Sequence, residues 1–144
     1  MADRFPKGFD AHQHGLLRTL YGDLVPPLES IRVRVGWYRL VDQMFARFGR
    51  LRDRRNLRVL AIETRYAGHL VVRIDGIATD VPEIVYDAEE AARHTCEHCS
   101  KPARMIVKVG LESLLASTDV ELGDRLLCTD CAHLFQKEIA DDYR

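Results

Sequence analysis

The sequence predicts an α+β protein: a small three-stranded, mainly antiparallel sheet with helices on one face, followed by a four-cysteine module at the C-terminal end. Three observations carry this. Apolar residues alternate with period two in several short stretches but recur every three to four residues in others, so strands and helices are interleaved. Two strand-like runs flank a short Gly-containing connection, as in a hairpin. All four cysteines of the chain fall into two CxxC pairs after the last core helix.

Taking the elements in order, residues 1 to 10 read as a loose terminus, and His12 to Tyr21 as a short helix ending at Gly22. His12 and His14 on that helix read as solvated side chains. Pro26 and Pro27 force extended geometry. Ile31, Val33 and Val35 then alternate with Arg32 and Arg34, which predicts a strand with one apolar and one basic face. Trp37, Leu40, Val41, Met44, Phe45 and Phe48 form one helical stripe. The Arg-rich segment from Gly49 to Asn56 has no periodicity and reads as a loop. Leu57 to Thr64 predicts a largely buried strand, Gly68 a tight connection, and Leu70, Val72 and Ile74 a second hairpin strand with Arg73 on its other face. Asp80 and Glu83 have capping-box spacing with Pro82 early in the helix, and Val81, Ile84, Val85, Ala88 and Ala92 face inward. The chain divides into residues 1–22, an N-terminal extension with its helix; 23–94, the α+β core; and 95–144, the cysteine module.

Composition narrows the class. At 144 residues the chain holds one ordinary domain, or one with a small metal-stapled appendage. With 47% hydrophobic and 30% charged residues it belongs with folded soluble proteins. No apolar run reaches the roughly 20 residues that cross a bilayer. Met1 to Asp10 carry charges and Pro6 where an export signal would need an apolar stretch. The expected setting is cytoplasmic and reducing, with no membrane partner. Formal charge is −1, but unevenly spread. Arg47, Arg50, Arg52, Arg54, Arg55 and Arg58 are opposed locally by Asp53, whereas Asp80, Glu83, Asp87, Glu89, Glu90 and Glu97 face Arg93 and Lys101. Those two regions could also pair between copies as a homodimer.

The cysteines carry the most specific chemistry. Two residues between thiols let both sulfurs of a tight turn point at one cation, so Cys96, Cys99, Cys128 and Cys131 supply a closed tetrahedral site for one structural Zn2+. A closed site leaves no position for water and supports a fold. Met105 to Val109 reads as a strand, Leu126 and Leu127 lead into Cys128, and Ala132, Leu134, Phe135, Glu138 and Ile139 continue as a helix. A knuckle, a hairpin and a helix carrying the last ligands is the order of a treble-clef zinc finger. Disulfides fit poorly with a reducing compartment. Rubredoxin-like iron is disfavoured because Ser100 and Ala132 stand where glycines usually follow such knuckles.

On these residues the chain resembles a family of small uncharacterised bacterial and prophage proteins. Their pattern is a Gly-Trp segment opening a helix, a KFGGLR-like hairpin, and a CxxCG knuckle followed by a Gly-Trp-x-x-T-L-C segment. The matching stretches are Gly36 to Asp42, Arg65 to Leu70, Cys96 to Cys99, and Leu126 to Cys131. The likeness spans residues 20 to 135 in the same order. Leu111 to Leu122 departs from it as an insertion, and the tryptophan before the third cysteine is missing. The resemblance implies a mobile-element setting and no particular reaction.

Catalytic patterns are lacking. An HNH-like nuclease would need His or Asn ligands between the two half-sites, and Ser100 to Leu127 has neither. No GxSxG, Walker or HExxH pattern occurs. The expected role is therefore non-enzymatic: a zinc-stabilised inhibitor or adaptor that docks on another protein, presenting the acidic helix face around Asp87, Glu89 and Glu90. The alternative is nucleic-acid binding through Arg32, Arg34 and Arg73 on the sheet, Arg50, Arg52, Arg54 and Arg55 on the loop, and Tyr66 and His69 stacking at the hairpin.

Overall fold

Asp10 opens the first helix in the computed structural model, which describes residues 9–65, 68–103, 105–107 and 125–142. Its carboxylate accepts from the Gln13 amide at 2.8 Å and the Gln13 side chain accepts from the Asp10 amide, a reciprocal pair that satisfies donors the helix start leaves open. This helix, α1 (Ala11–Tyr21), stops at Gly22, where φ is 58°. Its buried Leu17 joins the main core with Phe9. His14 is not a solvated side chain: its Nε2 lies 2.8 Å from the Pro26 carbonyl, and Arg18 donates to the Val25 carbonyl at 3.0 Å. Together they tie α1 to the proline segment.

The strand expected from Ile31 to Val35 is cut short. The strand β1 covers Ile31–Arg32, Arg34 is extended beyond it, and Val35–Trp37 turns as a 3-10 helix into α2 (Tyr38–Gly49). Trp37, Leu40, Val41, Met44, Phe45 and Phe48 are all buried, as the three-and-four spacing requires. Because α2 carries the chain back across the sheet, β2 (Arg58–Arg65) runs parallel to β1, with Ile31 opposite Ile62 and Arg32 opposite Glu63. Gly68, at φ 78°, then leads into the antiparallel β3 (His69–Asp75). The sheet, in order β1-β2-β3, is thus mixed, with a long antiparallel pairing of β2 and β3 and a short parallel pairing of β1 and β2.

A bulge between Val59 and Ala61 changes how β2 uses its apolar run. Val59 and Ile62 both face the core, while Leu60 is 47% exposed, so the strand is half-buried where a largely buried one was expected. Helix α3 (Val81–Ala92) buries Ile84, Ala88 and Ala92, with Val81 and Val85 packed at the margin. The capping box does not form, because Asp80 adopts φ 69° and its side chain caps nothing. Pro82 does occupy the first turn. Arg47 and Asp87 join α2 to α3 at 2.6 Å on the surface, a pair contributing at most about 1 kcal/mol. No helix among the described residues is long and apolar enough to cross a membrane.

Gly76 follows the end of β3 under the tightest local constraint: φ is 101°, and a Cβ there would overlap the Asn56 carbonyl. Replacing Gly76 by Ala is expected to destabilise the fold by about 2 kcal/mol or more, the sum of strain and backbone displacement. Urea unfolding of Gly76→Ala beside the parent checks this, and equal midpoints would refute it.

Candidate metal centre

After α3 the chain makes a knuckle. Thr95 bridges Pro102, the Cys96 amide donates to the Lys101 carbonyl at 2.8 Å, and the Ser100 amide donates to the Cys96 carbonyl at 3.3 Å. Then β4 (Met105–Val107) pairs antiparallel with β5 (Arg125–Leu127), and α4 (Thr129–Asp142) begins directly after Cys128 with Cys131 in its first turn. The segment 111–122 and the hairpin residue Tyr66 lie outside the described residues.

The two half-sites converge. The four cysteine sulfurs all lie within 4.8 Å of one another, and Cys99 Sγ is 3.6 Å from Cys128 Sγ. A tetrahedral thiolate site with metal–sulfur bonds of about 2.3 Å has sulfur–sulfur edges of about 3.8 Å, whereas a disulfide needs about 2.05 Å. The four thiols are unbridged, and their spacing fits a single metal ion. The amides of His98 and Cys131 approach Cys96 Sγ and Cys128 Sγ, each at 3.5 Å, the orientation that supports negative sulfur. Burial pushes the Cys99 and Cys131 thiols up; at Cys128 burial also acts upward, but the Cys131 amide and neighbouring thiols outweigh it and bring that thiol down. A bound cation reverses the burial effect, because coordinated thiols lose their protons. His94 and His98 are not needed as ligands; His94 lies outward beside Glu90 at 3.5 Å.

What holds this centre is its contact with the start of α2. A Cβ on Gly36 would overlap the backbone of Cys96, Glu97 and His98, so only glycine lets the knuckle lie there. The Gly36 amide donates to the Glu97 carbonyl at 2.9 Å, and Trp37 Nε1 donates to the Thr95 carbonyl at 3.1 Å. Ser100 adopts φ 72°, a conformation glycine would take without strain, and its hydroxyl donates to the Gly36 carbonyl at 2.6 Å. That bond offsets part of the strain.

Glu97, grouped in the sequence with the acidic stretch from Asp80 to Glu90, is 0% exposed. Its Oε1 accepts from Arg34 at 2.8 Å and its Oε2 accepts from the Leu126 amide at 2.5 Å, while its own amide donates to the Leu126 carbonyl at 2.9 Å. Burial pushes its carboxyl up, opposed by the Arg34 charge and these hydrogen bonds. Arg34, expected on the exposed basic face, is 1% exposed and serves this carboxylate. It is therefore not available to a nucleic acid. Arg125 is likewise buried and stacks over Phe135, 4.1 Å from the ring centre, within the apolar cluster behind the cysteines. Sequence spacing gave no sign of Glu97 or Gly36 as anchors; the one available signal was a charged residue inside a CxxC turn.

The other expected surface residues fall into two groups. Arg32 and Arg73 are exposed on the sheet face away from the helices, and His69 is exposed opposite Arg65. Arg50, Arg54 and Arg55, together with Arg58, surround a separate cleft, and Arg52 is exposed on the adjoining turn. The acidic face of α3 is partly answered within the chain, since Asp87 meets Arg47 and Glu90 meets Arg93 at 3.6 Å.

The buried pair yields a test. Arg34→Met alone strands a buried carboxylate and is expected to lower stability by about 3 to 5 kcal/mol, whereas Arg34→Met with Glu97→Gln should recover part of that loss. A double-mutant cycle by denaturant unfolding reads the coupling, and additive losses would show that the pair does not act as a unit. Comparison of the chain with family models, with curated proteins and with solved structures found no match.

Proposed function

We propose that the chain is a non-enzymatic binding protein stabilised by one structural Zn2+ in a treble-clef-like module, of the kind a mobile element uses as an inhibitor or adaptor. The observation that carries the metal reading is the approach of all four cysteine sulfurs to within 4.8 Å of one another. Four thiolates at tetrahedral separations favour zinc over harder divalent cations, and a fully sulfur-ligated ion has no open position at which to activate water. The buried charges of Arg34, Arg125 and Glu97 leave one net positive charge in the same region, which moderates the double negative charge of a zinc tetrathiolate. Zinc would fix the knuckle and α4 against the core, and binding would use outer surfaces: the α3 face around Glu83 and Glu89 for a protein partner.

Nucleic-acid binding is a second reading, favoured by one observation: Arg32, Arg50, Arg52, Arg55, Arg58 and Arg73 remain exposed after folding. That reading predicts steep weakening of oligonucleotide binding with salt, reduced in slope when Arg50, Arg52 and Arg55 are neutralised together. A slope unchanged by these substitutions would refute it.

For the metal, the purified protein is expected to contain one zinc per chain and to exchange it for Co2+ with the visible absorption of a tetrahedral thiolate site. Cys128→Ser should lose the ion and unfold the module, and the parent should release it as falling pH protonates the thiolates. Elemental analysis and circular dichroism with and without chelator check this. A metal-free chain with an unchanged unfolding midpoint would overturn the proposal.

A further inference from the structure

The C-terminal end of α2, the turn after α1 and the start of β2 border an open cleft of about 950 Å³. Its polar wall carries Arg50, Arg54, Arg55 and Arg58, brought from the helix end, a 3-10 turn and a strand. Its apolar wall includes Leu20 and Leu24. Leu20 is 65% exposed on α1, an apolar side chain with little to cover it. The volume falls in the range of small-molecule sites, and the combination of an apolar wall with clustered guanidinium forks suits a ligand with a flat or apolar body and a phosphate end.

The simpler account is that these arginines neutralise their own surroundings, and charge counting shows how far that goes. The four guanidinium groups share the cleft with two carboxylates, Asp23 and Asp75. The C-termini of α1 and α2 also point here, each contributing about half a negative charge. About one positive charge remains after both are counted. Arg54 is partly committed, since it donates to the Gly49 carbonyl at 2.6 Å at the end of α2. Arg50, Arg55 and Arg58 form no ion pair with a carboxylate among the described residues.

The wall is also built in advance of any ligand. The 3-10 turn Arg54–Asn56 is closed by the Asn56 amide on the Asp53 carbonyl at 3.0 Å and the Leu57 amide on the Arg54 carbonyl at 3.0 Å. Asp53 in turn accepts from the Thr79 amide at 3.2 Å, and Gly76 lies against Asn56. Guanidinium groups on a braced turn lose less freedom on binding than groups on a free loop.

We propose that this cleft is a binding site for a small phosphate ester of nucleotide size, with phosphate held by Arg50, Arg55 and Arg58 and the organic body against Leu20 and Leu24. It rests on the anion-binding reading of the Arg-rich segment and narrows it from a nucleic-acid surface to a cleft that takes one small ligand. Zinc occupancy plays no part in it.

Calorimetric titration of the intact, metal-loaded protein with ADP, with adenosine and with an oligothymidylate lacking terminal phosphates tests the site. ADP is expected to bind at least about tenfold more tightly than adenosine, as expected for charge-assisted hydrogen bonds. Arg55→Ala and Arg50→Ala should each weaken ADP by about tenfold, and Leu20→Glu should do so by repulsion at the rim. Arg73→Ala, on the sheet face, should leave ADP binding unchanged. All three cleft positions are exposed, and a thermal melt of each variant confirms folding. Equal binding of ADP and adenosine, no ADP binding, or ADP binding indifferent to Arg55 overturns the proposal. If the oligothymidylate binds more tightly than ADP and Arg73→Ala weakens it, the cleft proposal falls while the nucleic-acid reading stands.

Discussion

The missing side chain at Gly36 is the constraint on which the arrangement of this protein depends. Because nothing projects there, the peptide backbone of Cys96 to His98 can lie directly on the chain entering α2. That contact brings Glu97 to Arg34 and to the Leu126 amide, and Ser100 to the Gly36 carbonyl. The four-cysteine cluster is consequently not an appendage on a linker. Its first half-site is part of the core packing, and its second half-site follows because Glu97 also grips β5 immediately before Cys128.

The Arg34–Glu97 pair is better understood as a specifier of register than as a source of net stability. Moving both charges out of water costs several kcal/mol per ion, and their attraction does little more than return that cost. Any other register of knuckle, β5 or β1 would leave one of these charges buried without its partner. The penalty for misplacement is therefore larger than the gain from correct placement. A module whose ligands come from two distant stretches of chain benefits from that asymmetry, since thiols alone would accept several pairings.

Local periodicity made the helices and the four thiols legible, because each is specified by residues close in sequence. The α2 stripe and the two CxxC pairs needed no knowledge of the rest of the chain. Arg34 was misread for the opposite reason: alternation with Val33 and Val35 places it on an outer face, and only a carboxylate 63 residues later brings it inside. Glu97 was misread with it. The mixed sheet was also hidden, since β1 proved two residues long and its direction relative to β2 is set by the path of α2 across the sheet. The bulge at Val59 and Ala61 broke the strict alternation, so that Val59 and Ile62, three residues apart, both face the core. Ser100 at positive φ shows that a glycine rule can be met by another residue when a hydrogen bond compensates.

Helix α2 also explains why the two charged regions lie where they do. Its N-terminal end, the positive end of the peptide dipoles, adjoins the knuckle that carries Glu97 and the anionic sulfurs a metal would require. Its C-terminal end, the negative one, adjoins Arg50, Arg54 and Arg55. At 12 residues the helix spans about 18 Å, so the two regions are separated by more than a Debye length at physiological salt. Direct electrostatic coupling between a cation held by the four cysteines and the cleft would therefore be weak. Any influence of one on the other has to pass through the packing of α2, whose buried stripe is held by the main core at every turn.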